Sequence, residues 1–257
     1  MLRALTILSL ISVVTSATAL PCSDHADALG TSRVIEVDVA NTPRVGRKQF
    51  PVTLPLAAKE VVFTFDDGPW PGTTARVLAA LAGECVRATF FLLGRNVAAH
   101  PELARRILAE GHTIGHHTWS HRLLNRIPPA AAAAEIDRGI RAVDEALNDR
   151  TGSGRPARLF RFPGFAASPT LLRALEQRGM VVFGTDVWAS DWNSMTPAQE
   201  LRLVLQRIET AGGGILLFHD TKSQTASMLP ALLRELKKRG YRIVHVVPAA
   251  GTPEIAR

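Results

Sequence analysis

The chain has 257 residues, 46% of them hydrophobic and 21% charged, a balance that supports a folded core and excludes a disordered polymer. Its formal net charge is +7, but the arginines are scattered rather than gathered into a basic arm, and no nucleic-acid-binding motif accompanies them. A spread positive surface suits an envelope or anionic glycan environment, and a single domain is the expectation at this length.

The first element in chain order is MLRALTILSLISVVTSATALPC, with Arg3, an apolar segment over residues 5–14 and the small-residue pattern Ala17-Thr18-Ala19. It reads as a signal peptide over residues 1–19, cleaved after Ala19, because the apolar part is shorter than the roughly 20 residues of a spanning helix. Export to the periplasm or the exterior follows, with no stable membrane span left after cleavage. Disulfides form in that setting, so Cys22 and Cys85 either pair or stand as a free cysteine and a small core residue.

Residues 20–59 read as an N-terminal extension packed on the main domain, with one alternating patch at residues 34–39 that suits a strand or half a hairpin. From residue 60 to 250 short apolar runs alternate with helical patterns. The runs are residues 61–65, 88–93, 112–115, 159–162, 180–184, 214–219 and 241–247, and their continuity suits strands buried on both faces. Helices are expected over residues 101–110 and 129–147, after Ser168-Pro169, after the capping box at residues 196–199, and over residues 229–239 with a stop at Gly240. This alternation predicts an α/β protein: a distorted (β/α)7 TIM-like barrel forming a single domain, with an open doubly wound sheet as the alternative.

In both architectures chemistry gathers at the carboxyl ends of the strands. The run VVFTF ends on Asp66 and Asp67, His117 follows the third run, Arg161 lies near the end of the fourth, and His219 with Asp220 ends the sixth. Two adjacent carboxylates repel each other, and a divalent cation would neutralise them. The segment GHTIGHHTWSH holds four of the eight histidines. His117 and His121 stand four apart, as do His112 and His116, so spacing alone leaves the pair open; on a helix either would share one face. An Asp-His-His set keeps open positions for water and substrate, as catalytic metal sites do.

Five segments in order resemble the NodB-type polysaccharide deacetylases, carbohydrate esterase family 4: TFDDGP (residues 64–69), HTWSH (117–121), RFPGF (161–165), Asp191-Trp192 and LLFHD (216–220). The resemblance implies that Asp67, His117 and His121 ligate a divalent metal, usually zinc. It further implies Asp66 as general base paired with Arg161, and His219 as general acid oriented by Asp191. The Gly164 N–H would help hold the oxyanion, and Trp192 with Leu217 would form the slot for an acetyl methyl group. RFPGF departs from the family's usual Arg-Pro-Pro-Tyr-Gly, and His116 stands where many relatives have Asn, which places it at the rim or behind the ligands. Arg161 is expected to favour the ionised form of Asp66. Trp119 and Trp188 read as packing or glycan-stacking residues, Asp186 and Asp220 as orienting groups, and His100 and His245 as structural. The implied activity is an exported, metal-dependent hydrolysis of N-acetyl or O-acetyl groups on a polysaccharide by a monomer. The alternatives are a non-catalytic glycan-binding relative and a cyclic amidohydrolase.

Overall fold

The computed structural model describes residue 22, residues 27–148 and residues 157–249. The signal peptide expected at residues 1–19 and the last residue of the expected 60–250 segment lie outside these.

In chain order the elements are β1 (Thr31–Val37), β2 (Arg44–Val45), β3 (Glu60–Asp66), α1 (Thr73–Gly83), β4 (Thr89–Leu92), α2 (Gly94–Ala99), α3 (Pro101–Ala109) and β5 (Thr113–His116). They continue with α4 (Pro129–Asn148), β6 (Leu159–Phe160), α5 (Pro169–Gln177), β7 (Val181–Phe183), β8 (Val187–Trp188), α6 (Pro197–Ala211), β9 (Gly214–His219), α7 (Ser223–Lys238) and β10 (Arg242–Pro248). All seven apolar runs become strands. The start signals also hold: Ser168 accepts from the Leu171 N–H at the start of α5, and Thr196 with Gln199 completes the capping box of α6.

Every strand pairing is parallel. The path β3-β4-β5-β6-β7 continues through the same chain run into β8, β8 pairs β9, and β9 returns to β3, so a distorted barrel forms in preference to an open sheet. Because β9 runs the length of β3 on one edge, β4 and β10 share the other; β10 meets β3 only at Glu60 and Val61. The register brings Asp66 level with His219 and Phe91, and His116 level with Phe160.

Of the two readings of the alternating patch the strand holds and the hairpin does not: β1 pairs in parallel with β10, burying Ile35 and Val37 and leaving Val34 and Glu36 outside. The extension is thereby part of the sheet, with β2 beside β7, the Arg33 guanidinium on the Glu60 carboxylate at 2.7 Å, and Cys22 bonded to Cys85. The last helix begins at Ser223, six residues before the expected start, and carries Pro230 inside it. The donor lost at Pro230 is offset by the burial of Leu229, Leu232, Leu233 and Leu236. No described helix is long and apolar enough to cross a membrane.

The core under the site is aromatic. Phe65 is fully buried and stacks on Phe90 at 5.0 Å and Phe218 at 5.6 Å between centroids. Phe65→Ala is expected to destabilise the fold by about 3–5 kcal/mol, seen as a lower urea midpoint at unchanged slope.

Candidate active site and metal centre

A cavity of about 370 Å³ opens at the carboxyl ends of the strands and is lined by Asp66, Asp67, His117, His121, Gly164, Trp192, Leu217 and His219, among others. Of the ten residues singled out from the sequence for this site, only Arg161 and Asp191 do not line it. Both lie fully buried behind it, each bonded to a residue that does.

The first carboxylate is buried at the end of β3. The Arg161 guanidinium donates from Nη1 to Asp66 Oδ1 at 2.7 Å and to Thr64 Oγ1 at 2.8 Å, and from Nη2 to the Gly184 carbonyl at 2.8 Å. Its cationic carbon lies 4.3 Å from the centroid of the Phe91 ring. Burial is the strongest influence on Asp66 and raises its pKa above the ordinary carboxylate value, while Arg161 and then His219 oppose it. Arg161 thus favours the ionised form, as expected, but burial is the larger influence.

Asp67 reaches the same cavity through its own backbone. Its φ is 77°, so the chain leaves the extended path at this residue and the alternation of a strand is broken before the Gly68-Pro69 turn. Its N–H donates to the Phe91 carbonyl, and its own carbonyl accepts from Asn96 Nδ2 at 2.7 Å. Gly68 is required here: a Cβ would fall 2.1 Å from Oδ2 of the buried Asp220, which accepts from Thr74 Oγ1.

His117 and His121 sit on a loop, since residues 117–123 after β5 form no helix. Positive φ angles at Thr118 (69°) and His121 (67°) fold the loop so that the His117 and His121 rings meet edge to face at 5.2 Å. The i, i+4 spacing therefore works by a turn. His117 Nδ1–H donates to the Arg161 carbonyl at 2.7 Å, which leaves the Nε2 lone pair facing Asp67. Burial pushes the His117 pKa down to about 3, so the ring stays neutral. His112 and His116 bond elsewhere, His112 Nδ1 accepting from the Ala88 N–H and His116 Nε2 donating to the Ala157 carbonyl, and neither joins a metal-holding cluster among the described residues. His116 is buried at the end of β5 and does not line the cavity.

Among the described residues, Asp67, His117 and His121 form the one cluster that can hold a metal ion, their ligand atoms within 4.8 Å of one another. Among the described residues the buried Oδ1 of Asp67 has no hydrogen-bond partner, although His117 Nε2 stands 3.6 Å and His121 Nε2 3.5 Å away. An unpartnered carboxylate oxygen facing two imidazole nitrogens is what a cation would satisfy, and the donor set fits a zinc-type ion.

Opposite stands His219, whose Nδ1–H donates to Asp191 Oδ1 and whose N–H donates to Asp191 Oδ2, each at 2.7 Å. Burial disfavours its protonation, but the Asp191 hydrogen bond and the charges of Asp191, Asp66 and Asp67 outweigh this and raise its pKa to about 9. A wall of rings leads away from it: Trp192 lies edge-on to His219 and to Trp188 at 6.0 Å each, and Phe165 follows at 6.4 Å. Trp192 is half exposed and Leu217 is buried beneath the wall.

Sequence reasoning missed Phe162, Phe165 and Lys222 as lining residues. Phe162 and Phe165 both lie inside RFPGF, which was the only signal for them, and nothing in the sequence marked Lys222. Trp188 lines the cavity, whereas Trp119 packs under the Arg138 guanidinium at 3.6 Å. Asp186 accepts from the Arg47 and Ile215 N–H groups and from Thr53 Oγ1, the orienting task expected of it.

The family model for polysaccharide deacetylases matches residues 54–183, half of the chain. The chain belongs to the polysaccharide deacetylase family, the NodB-homology group of carbohydrate esterase family 4. It is 32% identical over 191 residues to the peptidoglycan-N-acetylglucosamine deacetylase PgdA of Listeria monocytogenes, a match covering 73% of this chain and 38% of that protein. It is also 32% identical to a chitooligosaccharide deacetylase of Bradyrhizobium, with 74% of this chain and 90% of the relative covered. Among solved structures, the peptidoglycan deacetylase Bd3279 of Bdellovibrio bacteriovorus aligns with a TM-score of 0.77 at 32% identity, over 89% of this chain and 62% of that one.

Folded His219 holds its proton more tightly than an unfolded histidine, so its pairing stabilises the fold below about pH 6.5 and that contribution is lost as pH rises through about 9. Asp191→Asn should bring the His219 titration, followed by NMR, down from about 9 toward the ordinary histidine range. A titration unchanged in that variant would mean that Asp66 and Asp67 alone hold the proton.

Proposed function

We propose that the protein is an exported, metal-dependent deacetylase that hydrolyses N-acetyl groups of a glycan of the peptidoglycan or chitin type. The observation that carries this reading is the opposition, across one cavity, of a buried carboxylate base and a histidine held protonated, with the Asp-His-His cluster between them.

Asp67, His117 and His121 hold the ion, with zinc the best match to one carboxylate and two imidazoles. Such an ion supplies polarisation of the acetamide carbonyl and a lowered pKa for water. Asp66 takes the proton of the attacking water. Its burial makes it a stronger base than a solvated aspartate, and Arg161 limits the rise. The Gly164 N–H faces the oxyanion that develops, and Trp192 with Leu217 encloses the acetyl methyl group. His219, kept cationic by Asp191, gives its proton to the departing amine.

The relatives named for peptidoglycan and chitooligosaccharide deacetylation support an N-acetylated glycan as substrate. The apolar segment before Ala19 supports export, the setting in which such a polymer lies.

Acetate release is to be measured on N-acetylated peptidoglycan and chitooligosaccharides, with zinc and after chelation. Release that chelation abolishes and zinc restores is the expected result; no release from any glycan would overturn the reading in favour of a glycan-binding protein. Asp66→Asn is expected to lower turnover by about 10²–10⁴-fold with bound zinc unchanged. Full activity in that variant would remove Asp66 from its role.

A further inference from the structure

The Asp191–His219 pair does not end at Asp191. Asp191 Oδ2 lies 2.9 Å from Thr225 Oγ1 on α7, and the same oxygen of Thr225 lies 2.9 Å from Glu200 Oε1 on α6. Glu200 and Thr225 are both fully buried, and Glu200 Oε2 has no hydrogen-bond partner among the described residues.

A hydroxyl has one proton, yet it stands between two carboxyl oxygens. If Thr225 donates to Asp191, the short contact to Glu200 contains a hydrogen only when Glu200 brings one. If Thr225 donates instead to an ionised Glu200, its contact to Asp191 becomes two facing lone pairs. Ionised Glu200 would also leave a buried, charged Oε2 without a donor, whereas a neutral acid leaves only a carbonyl oxygen there.

We propose that Glu200 is a neutral carboxylic acid that donates to Thr225 and so fixes Thr225 as a donor to Asp191, making Glu200 a positioning residue for the proton donor His219. The groups that face it are Thr225 of α7, Asp191 after β8 and His219 of β9. Burial is the main influence on its pKa, opposed by the Thr225 hydrogen bond and reinforced by the Asp191 charge, and brings it to about 7. Asp191 then receives three donors, from the His219 ring, the His219 backbone and Thr225, and its carboxylate plane is locked. Neutrality also matters for His219: a second anion behind Asp191 would bind the imidazolium proton more tightly and make it a poorer acid.

This inference rests on the reading of His219 as the proton donor, and one arm of its test is independent of that reading. In protein labelled with ¹³C only at glutamate carboxyls, NMR below pH 7 should show one carbon at the protonated-acid position that is missing in Glu200→Gln. Its absence from the wild type would overturn the proposal whatever the enzyme's activity, whereas failure of wild-type acetate release would count against the deacetylase reading alone. In the kinetic arm, Glu200→Ala lowers kcat on the order of tenfold at unchanged KM. Glu200→Gln, whose amide can still donate to Thr225, restores kcat to within about twofold and leaves the alkaline limb of the pH profile in place. A Gln variant as impaired as the Ala variant, or with its alkaline limb moved to lower pH, would show that the charge of Glu200 is what matters and would overturn the proposal.

Discussion

Arg161 is the residue on which the rest of the site depends. Its side chain is fully buried, and its donors reach Thr64 and Asp66 of β3 and the carbonyls of Phe183 and Gly184 at and after the end of β7, while its face rests on Phe91 of β4. Its backbone N–H donates to the His116 carbonyl and its carbonyl accepts from His117 Nδ1. One residue therefore sets the orientation of a carboxylate at the end of β3 and the tautomer of a histidine just after β5. An isolated buried cation would cost several kcal/mol, which the fold offsets only while Asp66 and the carbonyls stay in place. The site and the barrel interior are thus a single electrostatic unit.

Around that unit the backbone is bent where regular strands would point side chains apart. Among the described residues, non-glycine positive φ angles occur at Asp67, Thr118, His121, Phe165 and Ser190, all within or next to the site, and otherwise only at Lys59 and Cys85. Such conformations are unfavourable for L-residues and persist where surrounding contacts enforce them. The contacts are visible: Asn96 holds the Asp67 carbonyl, Thr118 Oγ1 accepts from the His121 N–H, and the Arg207 guanidinium spans the Trp188 carbonyl and Ser190 Oγ. Packing thereby gathers Asp66, Asp67, His117 and His121 on one cavity.

Much of this was legible in the sequence, because apolar continuity marks buried parallel strands and polar residues at their carboxyl ends mark a rim. What could not be read depends on long-range partners. The pairing of β1 with β10 is settled more than 200 residues away from the patch that forms it. The choice of His117 and His121 over His112 and His116 followed from the family resemblance; the geometry behind it is a pair of positive φ angles, which the i, i+4 spacing disguised as a helix. The behaviour of Asp66 turned on burial, and a neighbouring arginine in the sequence gives no measure of that. Glu200 and Thr225 carried no signal at all, each being one polar position on an otherwise ordinary amphipathic helix.

The division of labour between two adjacent aspartates is the central claim, and the position of a bound ion tests it most directly. A crystal structure of the zinc-loaded protein, with the ion located by anomalous scattering, should show one zinc bonded to Asp67, His117 and His121 while Asp66 stays on Arg161 and off the metal. Zinc bonded to Asp66, or bound only away from this cluster, would contradict the account.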